Sequence, residues 1–284
     1  MKQQTIKHSI SCVGVGIHSG KLTSLSLYPA PADSGITFIR TDIKDHNNKV
    51  AACYKSVSKT KLGTTIQNKE KVEIVTIEHL MAALWGCNID NIVIELDGPE
   101  IPIMDGSSEQ FLFMLECAGV QIQDKSRKCI ELLKEISVKD GDSITNLYPS
   151  DHLSIEAEIS FNNGLVAAQK YKFSSKDLSF KHEIARARTF GFEKDAKILK
   201  QQGFARGASL DNVIVISGDK ILNKDGLRYK NEFVRHKLLD MLGDFYLIGV
   251  PIRAHIETFK PGHTINNKVL HTIFSDKTAW RMVA

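Results

Sequence analysis

His79 and Gly86 stand seven residues apart, and so do His236 and Gly243. Around each pair the same order can be read: helix, glycine, apolar strand, glycine-containing loop, helix. In the first half a helix is expected over residues 76–85, with Thr76 as N-cap, Ile77, Leu80 and Leu84 on one face, and Gly86 as its stop. The strand Asn91-Ile-Val-Ile-Glu-Leu follows, and Ser107-x-x-Gln110 forms a capping box ahead of Phe111-Leu-Phe-Met-Leu. In the second half a helix over 232–242 stops at Gly243, a strand covers 252–256, and a helix near 264–274 follows a Pro-Gly loop. Two unrelated α+β domains can share such an order, and so can the halves of a duplicated chain. If they are duplicates, a site made by the two equivalent helices lies between them, where active sites are commonly built.

The division between the halves is expected in the polar stretch Gln123-Asp-Lys-Ser-Arg-Lys, giving domains 1–126 and 127–284. A chain of 284 residues, 42% apolar, has enough material for packed cores of that size. Its net charge is only +4 and its lysines are scattered, which speaks against a nucleic-acid arm. The five cysteines, at 12, 53, 87, 117 and 129, form no CxxC pair, so a reducing compartment is expected rather than a disulfide framework. The opening residues hold no apolar run of signal-peptide type, and no apolar stretch is long enough for a membrane span. The expected location is the cytoplasm.

The chemistry concentrates in four short motifs. In Phe233-Val-Arg-His-Lys-Leu-Leu-Asp-Met-Leu-Gly-Asp, helical geometry puts His236, Asp240 and Asp244 on one stripe. Val234, Leu238, Met241, Leu242 and Phe245 make most of the remaining surface apolar, so the stripe is expected to be buried. Buried imidazole and carboxylates need partners, and a divalent cation would satisfy a His and an Asp four residues apart. A solvent-facing polar stripe or a His–Asp hydrogen bond would also explain the spacing. In Thr76-Ile-Glu78-His79-Leu, adjacent residues diverge by about 100° on a helix and cannot both ligate one ion comfortably. They can divide the work, His79 binding the metal and Glu78 taking a proton from the attacking water. In Lys260-Pro-Gly-His263, the histidine opens a helix just past a turn, where an exposed imidazole is expected; a carboxylate such as Asp244 would keep it protonated as a general acid. In Arg188-Thr189-Phe190-Gly-Phe192, the Thr189 hydroxyl can donate to a developing oxyanion and the phenylalanines offer stacking surface.

Read in order with Val15-Gly-Ile-His-Ser-Gly and Pro99-Glu-Ile-Pro-Ile-Met-Asp-Gly, these motifs closely resemble the UDP-3-O-acyl-N-acetylglucosamine deacetylases (the LpxC family) of lipid A biosynthesis, over essentially the whole chain. The resemblance implies an α+β fold of two similar two-layer sandwich domains, each a sheet on helices, with the active site at their interface. It implies Zn2+ on His79, His236 and Asp240, Glu78 as general base, and His263 as general acid or electrostatic stabiliser oriented by Asp244. Thr189 would hold the oxyanion, Lys237 would bind polar groups of the substrate, and Phe190 would lie against its sugar-nucleotide side. The substrate would be an acylated UDP-N-acetylglucosamine, its acyl chain following an insert at about 191–215, where Ile198, Leu199, Phe204, Ala205, Ala208 and Leu210 supply apolar surface. A monomer is expected. The chain departs from the family pattern at Lys61-Leu-Gly63-Thr, where many members carry a cysteine. It is also individual at Gly203-Phe-Ala-Arg-Gly-Ala-Ser. An amidohydrolase for another N-acylated sugar, and a silent sensor of the same lipid precursor, are the competing readings; intact Glu78 and His263 argue against the sensor.

Overall fold

A computed structural model describes residues 1–161, 164–166 and 168–284. The first half runs β1 (Lys2–Ile6), β2 (Ile10–Val15), β3 (Leu22–Pro29), β4 (Ile36–Arg40), β5 (Lys49–Ala51), β6 (Val57–Lys59), β7 (Thr65–Gln67), β8 (Glu73–Ile74), α1 (Glu78–Gly86), β9 (Ile92–Leu96), α2 (Glu109–Ala118) and β10 (Val120–Ser126). The second runs β11 (Cys129–Leu132), β12 (Ile136–Asp140), β13 (Ser143–Tyr148), β14 (Leu153–Ser160), β15 (Ala168–Ser174), α3 (Phe180–Glu183), β16 (Phe190–Phe192), α4 (Glu193–Gln201), β17 (Ile214–Ser217), β18 (Lys220–Ile221), α5 (Glu232–Phe245), β19 (Ile252–Phe259), α6 (His263–Ser275) and β20 (Trp280–Val283). The fold is mixed α+β.

The two main sheets repeat one plan. The first has the order β2-β3-β9-β4-β5, with β9 antiparallel to β3 and parallel to β4. In the second, β19 is likewise antiparallel to β13 and parallel to β14, and the hairpins β12-β13 and β14-β15 stand where β2-β3 and β4-β5 stand in the first. Strand β11 adds to the first two residues of β19 and carries β20 on its other edge. The central strands alternate as one-sided strands should: β9 buries Ile92, Ile94 and Leu96, and β19 buries Ile252, Ala254 and Ile256. Their inward faces meet the helices in one continuous apolar core that spans both halves.

Helix α1 lies at the centre, buried from Glu78 to Leu84, and packs against α5. The contact is backbone to backbone: a Cβ on Gly243 would stand 2.0 Å from the carbonyl oxygen of Glu78. Gly243 therefore does not stop its helix, as the spacing suggested; α5 continues to Phe245. The glycine is there because no larger residue fits. Gly86 does end α1, but a Cβ on it would meet the Phe180 ring at 2.2 Å, so it too serves close packing. Nor does Thr76 cap α1. It takes a left-handed conformation, φ 60°, and turns its hydroxyl to Glu100 instead. Ser107 keeps part of its expected role, its hydroxyl accepting the Glu109 amide at 3.1 Å.

Between β15 and α5, the parallel pair β16-β17 with α4 as crossover forms a small outlying unit. Its far loop docks on the first half, the Gly207 amide donating to the Ile17 carbonyl at 3.0 Å. Among the described residues, no helix is long and apolar enough to cross a membrane.

Candidate active site

The α1–α5 contact sets His79 beside His236, their rings edge to face with centroids 5.0 Å apart. Asp240, one turn after His236, completes the group: one donor atom from each of the three lies within 4.8 Å of the others, and all three residues are buried. The His236 Nδ1 stands 3.0 Å from the Ala187 carbonyl and must donate to it. Burial pushes the His236 pKa down to about 3, so the imidazole is neutral. Its Nε2 then presents a lone pair to Asp240 Oδ1 at 3.3 Å. That oxygen is buried with no hydrogen-bond partner. Lone pairs facing each other in a buried site repel, and a divalent cation between them removes the repulsion. The donor set therefore fits a metal ion. The other Asp240 oxygen takes a hydrogen bond from Lys237 Nζ at 2.9 Å. Burial alone would raise the Asp240 pKa, but the Lys237 ammonium beside it holds it well below the usual carboxylate range.

Glu78 and His263 lie beside the cluster, with His263 Nε2 3.7 Å from Glu78 Oε1. Burial raises the Glu78 pKa and the facing His263 only partly offsets this. His263 opens α6 as expected, but its side chain is only 10% exposed, not out in solvent. The reason is its partner: Nδ1 bonds Asp244 Oδ2 at 2.9 Å, and that contact draws the ring inward. Burial would lower the His263 pKa, yet the charges of Asp244 and Glu78 raise it to about 9. Asp244 is itself held by Asn266 Nδ2 at 2.8 Å and the Thr64 hydroxyl at 2.5 Å.

All nine residues singled out from the sequence come together. Thr189, Phe190 and Lys237 line, with the ligand cluster, Glu78 and His263, a cleft of about 610 Å³ between the halves. Phe190 packs against Phe233 and Phe161, and Lys237 Nζ stands 5.6 Å above its ring. Residues 191–215 form no wall of this cleft. Sequence reasoning missed Thr64. Its amide donates to Glu78 Oε2 at 3.0 Å, and its hydroxyl donates to Asp244 and stands 3.2 Å from His263 Nδ1, so one residue touches both candidate proton-transfer groups. The only signal was its place after Gly63, which lies so near the base that a Cβ there would stand 3.1 Å from Glu78 Oε1.

Comparison with known proteins identifies the family. Residues 3–275 match the family model described as UDP-3-O-acyl N-acetylglycosamine deacetylase. A protein of Myxococcus xanthus named UDP-3-O-acyl-N-acetylglucosamine deacetylase is 43% identical over 281 residues, covering 99% of this chain and 89% of the relative. One of the same name from Phenylobacterium zucineum is 42% identical over 282 residues, covering 99% and 96%. The chain belongs to this deacetylase family. Family membership and the buried donor set support each other, since the deacetylase family is one of metalloenzymes.

Proposed function

We propose that this protein hydrolyses the N-acetyl group of UDP-3-O-(3-hydroxyacyl)-N-acetylglucosamine, releasing acetate and UDP-3-O-acyl-glucosamine, the committed step of lipid A biosynthesis. The observation that carries the reading is the unpartnered Asp240 oxygen facing two imidazoles, with a carboxylate and a histidine of raised pKa beside it.

His79, His236 and Asp240 would hold the ion, which we assign as zinc. When bound, it supplies Lewis acidity to an amide carbonyl and to water at neutral pH. The chain's own groups do the proton work. Glu78 takes a proton from the water that attacks the acetyl carbon. As the C–N bond breaks, protonated His263 delivers a proton to the departing sugar nitrogen, and Asp244 holds its ring in line. Thr189 donates to the oxyanion, Lys237 binds polar groups of the substrate, and Phe190 lies against the sugar-nucleotide portion. The acyl chain would follow the 191–215 unit, where Ile198 and Leu210 are 54% and 49% exposed.

We read 1–126 and 127–284 as two domains and the protein as a cytoplasmic monomer, with all five cysteines free. Acetate release from the acylated UDP-sugar, measured with and without a chelator, tests the reading. No release by the metal-loaded protein would sink it.

A further inference from the structure

Glu100 lies outside the cleft, in Pro99-Glu100-Ile101, and is 1% exposed. Its carboxylate gathers three donors from two separate segments. Oε1 accepts the His18 amide at 2.8 Å and the Thr76 hydroxyl at 3.2 Å, and Oε2 accepts the Ser19 amide at 2.7 Å. The fit is tight, since a Cβ on Gly16 would stand 2.2 Å from Oε2.

Each segment leads somewhere. On one side, His18 carries the loop of the outlying unit: its carbonyl accepts the Arg206 amide at 3.3 Å, and its ring meets Phe204 edge to face, with centroids 5.3 Å apart. On the other side, Thr76 stands two residues before Glu78, in the strained left-handed turn that feeds α1. The two sides converge again at the base. A Cβ placed on Gly63 would be 3.1 Å from Glu78 Oε1, 3.7 Å from His18 Nε2 and 3.7 Å from the Thr76 hydroxyl.

We propose that Glu100 is a positioning residue that joins the outlying unit at 203–207 to the turn aiming Glu78. A carboxylate suits the task because all its partners are donors and it only accepts. Glutamine must turn its NH2 toward at least one of them, and aspartate is a methylene too short to hold both sides. The catalytic part of this inference rests on the deacetylase reading; the structural part does not.

The test uses the full chain, metal-loaded, with Glu100→Gln. Hydrogen exchange should accelerate together at residues 16–20, at 203–208 and at the Thr64 amide held by Glu78. Metal content should stay unchanged, and kcat should fall about tenfold or more while KM moves little. Faster exchange confined to 16–20, or an unchanged kcat, overturns the proposal. If unsubstituted protein releases no acetate, the deacetylase reading fails, and the exchange pattern still decides the role of Glu100. Should Glu100→Gln not fold, Thr76→Ala cuts only the arm toward the base. Faster exchange at Thr64 with 203–208 unchanged is then expected; unaltered exchange at Thr64 overturns the proposal.

Discussion

Gly243 touches the backbone of Glu78, so closely that a Cβ would lie 2.0 Å from the Glu78 carbonyl oxygen. The two helices that carry the candidate ligands thus meet at the residue proposed as base. Gly243→Ala cannot be relieved by a rotamer change, because the obstacle is main chain. Overpacking of this kind costs about 1–3 kcal/mol or more. Thermal unfolding should move down by several degrees, and metal affinity should fall with it, since separating α1 from α5 separates His79 from His236. An alanine variant with unchanged Tm and metal affinity would contradict the contact.

Glu78 is buried among the cluster but is not one of its three convergent donors. Glu78→Ala should therefore keep the metal and lose turnover by on the order of a hundredfold or more, the scale usual for general acid–base groups. Metal analysis of the purified variant separates the roles. Loss of the ion would make Glu78 a ligand.

Much of the site was legible in the sequence because its elements are local. The His236–Asp240 stripe is fixed by helical period alone, and the apolar residues around it foretold its burial. The repeated order of elements pointed toward the repeated sheet plan. Contacts between distant segments were not legible. A glycine inside α5 reads as a stop until the carbonyl of Glu78 is set against it, and Thr76 reads as a cap until Glu100 claims its hydroxyl. Thr64 was hidden for the same reason, its partners Glu78, Asp244 and His263 being 14, 180 and 199 residues away along the chain.

The pH dependence follows from two raised pKa values. Glu78 must be ionised to act as base, and burial lifts its pKa, so the acid limb of kcat/KM should lie higher than for an exposed carboxylate beside the same cation. His263 must be protonated to act as acid, and it is protonated below about 9. The rate should then fall as pH rises through that value, or through a somewhat lower one when a cation is bound nearby. His263→Ala should abolish the alkaline limb with metal content unchanged. Asp244→Asn should shift the limb to lower pH, because it removes the charge that most raises His263. A limb unmoved in both variants would assign the acid to another group.

Thr64→Val keeps the amide that holds Glu78 and deletes the hydroxyl that serves Asp244. Asp244 would remain buried with one hydrogen-bond donor fewer, at a cost of about 1–3 kcal/mol. Turnover should drop with His263 less firmly held, and Thr64→Ser should restore it. Equal activity in the valine and serine variants would show that the hydroxyl takes no part.

Removing the metal should act on stability as well as on rate. Without a cation, Asp240 Oδ1 and the His236 lone pair face one another, buried and unmatched. Asp240→Leu relieves that conflict at the expense of the site. The native chain should thus melt lower after chelation and regain its Tm with zinc, by about 2.7 kcal/mol at a free concentration a hundred times Kd. Asp240→Leu should melt at the same temperature with or without zinc and release no acetate. Zinc-dependent stabilisation persisting in that variant would place the ion elsewhere in the fold.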